Sequence, residues 1–374
     1  MVAALAMFLA ILAQAMGGIY ISLFAVQRAG LQPLELTAFL TTSAVSGIFF
    51  TTLFGNWFDR TGSRIPLALS LSGTIAAYVA FALTSDRIAL FAVAILPLGL
   101  GSASFALIFA GAKETLDASD SELAARGMAA LRMMSSLSWA VGPALAATLA
   151  GIWGMEMAFV GGAVAGLLAM ALALPQRHAV RERKPQVHEP MDFRLLAPGS
   201  AALVLYTAAM FIGATAMSIV TVQDLGGTEA DVGLLYSLCA AIEVPVMALF
   251  VLRPLRRTGR GLLVVGFAIY VAYYVVNLLF PDLVTMYLSQ VLRAVAIGIL
   301  SVVGMQYLQE LLPTRPGAAA ALFANTWNVA WLLSGLTTGT WAASFGYWSL
   351  FGLCAGMLVV GGALFGFVAR FART

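Results

Sequence analysis

Gly55-Asn56-Trp57-Phe58-Asp59-Arg60-Thr61-Gly62-Ser63-Arg64 joins two apolar runs, 36–57 and 65–84. Either run is long enough to cross ~30 Å of hydrocarbon as a helix rising ~1.5 Å per residue. The spacing G-x-x-x-D-R-x-G-x-R supplies what a tight turn between two such helices needs. Gly62 can make the turn, and Gly55 permits close helix approach. Asp59 can cap the following helix or pair with a basic group at the same membrane edge. A pairing of that kind holds one conformation and breaks in the other. Gly55, Asp59, Arg60, Gly62 and Arg64 are therefore candidates for a conformational gate rather than for solute contact.

The same grammar of apolar run and short polar break repeats along the chain. Runs centre on 3–26, 36–57, 65–84, 88–112, 126–151, 156–174, 199–222, 231–252, 261–280, 283–309, 317–342 and 347–369, here called spans one to twelve. Hydrophobic residues make up 61% of the 374 residues and charged ones only 10%, far from a soluble domain. In lipid only helices and closed barrels satisfy the backbone, and these runs lack barrel alternation. The expectation is an all-α membrane protein of twelve transmembrane helices.

Charge placement sets the topology. With the N-terminus inside, sixteen of the twenty Lys and Arg residues fall on the cytoplasmic side, and both termini are cytoplasmic. Arg28 and Arg87 stay outside; Arg132 and Arg293 lie within spans. The basic balance is thus explained by the membrane, without nucleic acid. Ala13-Gln14-Ala15 could pass for a signal-cleavage site, but no Lys or Arg precedes it and the run continues through Phe24, so a retained first helix is expected. Cys239 and Cys354 fall within spans without disulfide or metal spacing, and His178 and His188 lie in a polar loop.

That loop, 175–198, reads as a cytoplasmic linker between an N-terminal six-helix bundle (1–174) and a C-terminal one (199–374). The halves echo each other. The turn after span two matches Leu255-Arg256-Arg257-Thr258-Gly259-Arg260-Gly261 after span eight. Arg126-Gly127-Met128-Ala129-Ala130-Leu131 at span five matches Pro316-Gly317-Ala318-Ala319-Ala320-Ala321 at span eleven. A tandem six-plus-six arrangement explains both.

The loop motif of span two resembles the cytoplasmic signature of the major facilitator superfamily. Ser138-Trp139-Ala140-Val141-Gly142-Pro143 in span five resembles a Gly-Pro motif of its exporters, with Ser138 where Gly is expected. Gly142 and Pro143 would form a helix kink. Three longer stretches resemble the bacterial sugar efflux transporters: 131–143, Ala241-Ile242-Glu243-Val244-Pro245-Val246-Met247, and 309–325 with Gln309-Glu310-Leu311-Leu312-Pro313. The resemblance covers nearly the whole chain. It implies the two-bundle fold and proton-driven efflux of sugars or glycosides, by an antiporter of the bacterial cytoplasmic (inner) membrane.

Charges inside spans are costly and usually face a partner, a cavity or a solute path. Glu243 is the one carboxylate near the middle of any span. In the implied fold, spans five and eight meet, so Arg132 and Glu243 could form an ion pair that couples to a proton. Spans one, four, seven and ten would line a cavity. That makes Arg293 a substrate-binding candidate; a cation there departs from the neutral residue the family implies and admits acidic sugars or other anions. Sugar recognition needs amides and aromatic faces. Gln14 and Tyr20 in span one fit, as do Asn325, Trp327 and Asn328 in span eleven. Tyr206, Tyr236 and Gln306 are weaker candidates, and Tyr270, Tyr273, Tyr274 and Asn277 on span nine are expected at the periphery.

The partners expected are a small sugar or glycoside, protons and the lipid bilayer, with the protein a monomer. A multidrug or amino-acid exporter of the same fold is the alternative. A sensor or scaffold would need a soluble domain, and the longest loop has about twenty residues. With no nucleotide loop, metal-ligand cluster or nucleophile–base set, neither an enzyme, an ATP-driven pump nor a cofactor is expected.

Overall fold

The computed structural model describes residues 2–117, 121–175, 193–252, 260–312 and 316–371, and their regular structure is helical throughout. Span one is Val2–Gly17, a 3-10 turn Gly18–Tyr20 and Ile21–Gln27; span two is Pro33–Thr61 and span three Ile65–Leu83. Span four is broken into Arg87–Ile95, Pro97–Gly101 and Ser104–Asp117, because Pro97 interrupts its ladder. Spans five and six are Ser121–Trp153 and Met155–Ala173. Phe193–Gln223, Glu229–Leu252, Arg260–Leu279, Leu283–Leu311, Pro316–Phe345 and Leu350–Phe371 are spans seven to twelve. Among the described residues, ten helical stretches are long and apolar enough to cross a bilayer, and Leu350–Gly366 is a shorter apolar one.

Residues 176–192 of the expected linker, the basic loop 253–259 and residues 313–315 lie outside the described residues. Span seven starts at Phe193, inside the expected linker, with Pro198 in its second turn. A proline so near a helix start removes only one ladder bond, so Phe193-Arg194-Leu195-Leu196 can still wind ahead of it.

Helix ends follow local chemistry. Gly62 takes φ +60° and its N–H returns to the Phe58 carbonyl at 2.8 Å, closing span two as glycine can and other residues do poorly. Asp86 caps span four by accepting from Ala89 N, and Asp282 caps span ten by accepting from Thr285 N, both at 2.8 Å. Glu35 reaches back to Gln32 N ahead of span two, and Asp231 to Thr228 N ahead of span eight, both at 2.7 Å. Each pair occupies the same place in its half, which extends the echoes seen in the sequence.

Two compact units emerge. Unit 1 comprises Met1–Leu31, Ala38–Val187 and Thr228–Ser237; unit 2 comprises Gln32–Thr37, His188–Gly227 and Leu238–Thr374. In unit 1, span one packs on spans five and six, and span three on spans four and six. In unit 2, span seven packs on spans eleven and twelve, and span nine on spans ten and twelve. Shifting every number by six converts one pattern into the other.

Aromatic side chains fill both cores. In unit 1, Phe24, Phe81 and Phe159 from spans one, three and six meet at ring separations of 4.9–5.5 Å. In unit 2, Tyr270 stacks on Tyr274 at 5.0 Å, and the Tyr274 hydroxyl donates to the Ala209 carbonyl of span seven at 2.7 Å. Tyr270, Tyr273, Tyr274 and Asn277 are thus buried core rather than periphery. The Tyr274 hydroxyl and the Asn277 Nδ2 find partners there, Nδ2 donating to Ser289 Oγ at 2.8 Å.

Candidate functional site

Within unit 2, Arg293 projects from span ten with only 5% of its surface exposed. Its Nη1 donates to Gln290 Oε1 at 3.2 Å and lies 3.4 Å from Met217 Sδ of span seven. Gln290 is fully buried; its Nε2 donates to the Met286 carbonyl at 2.9 Å and lies 3.7 Å from the same Met217 sulfur. The three-residue spacing puts Gln290 and Arg293 on one helix face. An amide and a guanidinium in hydrocarbon are tolerable when each satisfies the other.

Glu243, half-buried on span eight, interacts electrostatically with Arg293. Cys239, buried one turn earlier, senses both charges. The two spans cross just beyond this point. A Cβ on Gly298 would stand 2.7 Å from Val246 Cγ1 and 3.9 Å from the Glu243 carbonyl oxygen, so only glycine lets span eight come this close to span ten. Arg293 is five residues from Gly298, ~7.5 Å along the axis, a gap its long side chain can span. Pro245 lies inside span eight and leaves the Ala241 carbonyl without its ladder donor beside the carboxylate. Tyr206 of span seven, wholly buried, shares a 3.0 Å hydrogen bond with Ser301 of span ten and also senses Glu243. A carboxylic acid, a guanidinium, an amide, a thiol and a phenol are thus gathered where spans seven, eight and ten converge.

The other expected residues stand apart from this cluster or elsewhere. Asn325, Trp327 and Asn328 are exposed on span eleven, Trp327 setting its ring against Phe211 of span seven at 5.7 Å. Arg132 belongs to span five, but its side chain lies outside the described residues. In unit 1, Gln14 donates to Ser104 Oγ of span four at 3.1 Å. Tyr20 is fully buried, its hydroxyl donating to the Glu229 carbonyl at 2.8 Å. Ser138 bonds the Phe8 carbonyl at 2.8 Å, and a Cβ on Gly142 would sit 2.7 Å from Ala15 Cβ, so spans five and one lie in close contact ahead of Pro143.

Unit 1 also holds a charged cluster that the sequence did not suggest. Arg28 Nε meets Glu156 Oε1 and its Nη2 meets Glu229 Oε1, both at 2.8 Å. Glu229 Oε2 accepts from Met155 N at the start of span six, also at 2.8 Å. The first turns of span eight are held further by Gly233, where a Cβ would lie 2.7 Å from the Pro143 carbonyl and 2.8 Å from the Tyr20 hydroxyl. Among the described residues no group of three or more His, Cys, Asp or Glu could hold a metal ion.

A family model described as Major Facilitator Superfamily matches residues 3–280. The chain belongs to the major facilitator superfamily. It is 35% identical over 363 residues to a Deinococcus radiodurans protein described as "Putative sugar efflux transporter", covering 94% of this chain and 93% of that one. It is 30% identical to "Sugar efflux transporter A" of Dickeya chrysanthemi over 90% and 87% of the two chains, and 28% identical to "Sugar efflux transporter C" of Escherichia coli over 90% and 88%. These relatives put it in the sugar efflux transporter family. Its fold is that of the nucleoside transporter NupG (TM-score 0.77, 15% identity, covering 99% of this chain and 98% of that one). The bacterial homologue of the human lysosomal transporter Spinster has it too (TM-score 0.77, 13% identity, covering 99% and 96%). The protein is a multi-pass membrane transporter and not an enzyme.

The superfamily loop motif also takes shape in unit 1. Arg64 Nη1 reaches the Ala173 carbonyl at 3.3 Å and the Leu174 carbonyl, so it sits on the C-terminus of span six, where a cation suits the helix dipole. Asp59 and Arg60 are exposed. Among the described residues, a Cβ on Gly55 would meet nothing within 4 Å. Sequence reasoning missed Gln290, Met217 and the Arg28 cluster. For Gln290 the signal was present: an amide three residues from Arg293 in an otherwise apolar run.

Proposed function

We propose that this transporter moves sugars or glycosides out of the bacterial cytoplasm across the inner membrane, by alternating access and in exchange for protons. Both termini are cytoplasmic and the working form is a monomer. Glu243 is the proton-carrying carboxylate. Its counter-charge is Arg293, with Arg132 a second cation, and Gln14, Asn325, Trp327 and Asn328 contact the solute. The single observation that carries this reading is the meeting at Gly298 of span eight, which bears Glu243, with span ten, which bears buried Arg293. A carboxylate beside a fixed cation can lose its proton inside a bundle without leaving an uncompensated charge. The names of the relatives, sugar efflux transporters, support the cargo class.

In proteoliposomes with an imposed pH gradient, labelled sugars or glycosides should move against the proton flow, while amino acids and cationic dyes should not. Movement of dyes or amino acids alone would overturn the cargo and leave the fold untouched. A gradient-independent flux would overturn the proton coupling.

A further inference from the structure

The buried amide beside Arg293 has no role in the reading so far, and its geometry gives it one. We propose that Gln290 is a positioning residue: it fixes the Arg293 guanidinium as the counter-charge that governs when Glu243 takes up and releases its proton. The inference rests on Glu243 being the coupling acid.

Gln290 is held at both ends of its amide. Nε2 donates to the Met286 carbonyl at 2.9 Å, one turn back on the same helix. Oε1 therefore faces forward and accepts from Arg293 Nη1 at 3.2 Å. The reverse orientation would set NH2 against the guanidinium and oxygen against a carbonyl, losing both bonds. Met217 completes the cradle, its sulfur 3.4 Å from Arg293 Nη1 and 3.7 Å from Gln290 Nε2. Both of these partners are neutral. Gln290 and Met217 take up N–H donors of Arg293 without cancelling its charge, so that charge remains available to Glu243 across the crossing at Gly298. An Asp or Glu at position 290 would satisfy the same donors and neutralise the guanidinium. Titratable groups that also act on the pair include Cys239 on span eight, Tyr206 on span seven and Tyr270 on span nine. All three are buried.

The test is an infrared titration of the carboxyl stretch in the full-length protein reconstituted in lipid, with the Glu243 band identified by its loss in Glu243→Gln. Gln290→Glu brings a rival carboxylate to Arg293, and the Glu243 band should titrate about one pH unit higher, the ordinary size of one neighbouring charge. The band of the new carboxylate is read from the Glu243→Gln/Gln290→Glu double variant and subtracted. Gln290→Leu frees the guanidinium and should also displace the midpoint, with Gln290→Met serving as the same arm if the leucine variant does not fold. A purely structural amide predicts lower thermal stability with an unmoved midpoint, and that result would overturn the proposal. So would a Glu243 band that does not titrate. The readout needs no cargo: a displaced midpoint with no sugar export sinks the assigned transport and leaves the role of Gln290 standing.

Discussion

Glu243 and Arg293 were conspicuous in the sequence because charge is scarce there, whereas Gln290 was not, since an uncharged amide barely dents an apolar run. What the sequence withheld was pairing. Sequence reasoning set Arg132 against Glu243 and gave Arg293 to the solute, and the crossing of spans eight and ten at Gly298 is what brings Arg293 into play. Glu243→Gln should leave the protein folded and abolish pH-driven export, because the amide keeps the shape and cannot shuttle a proton; wild-type flux with wild-type pH dependence in liposomes would remove Glu243 from the mechanism. Gly298→Val tests the crossing itself. Its branched side chain would be driven into Val246, and overpacking of this kind costs about 1–3 kcal/mol. A thermal-shift assay in detergent should show the loss, and a variant as stable as wild type would mean that the spans are looser than described.

The helices themselves were legible, since apolar length alone marks a membrane span. Their interruptions and tethers were less so. The breaks in spans one and four depend on Pro97 and on local 3-10 winding that hydropathy does not register. The cluster of Arg28, Glu156 and Glu229 was hidden because its members stand 128 and 201 positions apart at three different span ends. Arg28 is 41% exposed, so each bridge is screened and contributes about 0.2–1 kcal/mol. Arg28→Gln should therefore quicken amide hydrogen exchange in residues 228–237 by up to about fivefold, and high salt should do the same to the wild type. Exchange unchanged in both would show that Gly233 packing and the hydrogen bonds of Glu229 to Tyr20 and Met155 hold that segment without the bridges.

At the scale of the whole molecule, one helix-pairing pattern recurs in both units. The reciprocal trade of short segments, 32–37 into unit 2 and 228–237 into unit 1, was not legible, because nothing in a local sequence says which distant partner its first turn will choose. The orientation inferred from Lys and Arg placement can be checked with single cysteines, since native Cys239 and Cys354 are buried and should label weakly. Ser85→Cys and Asp59→Cys are both at exposed positions. In intact cells a membrane-impermeant maleimide should label the first, and the second only after permeabilisation; the reverse pattern would invert the topology. The traded segment also bears on biogenesis. Unit 1 has nearly all of its residues by Val187 yet is unfinished until residue 228 onward arrives, about forty residues later. At ~5–20 residues per second the ribosome needs roughly 2–8 s to deliver them. For that interval the nascent half-protein waits with Arg28 lacking one of its two carboxylates and with Pro143 and Ala147 of span five not yet covered by the turn at Gly233, the moment when a chaperone or quality-control protease has most to grip.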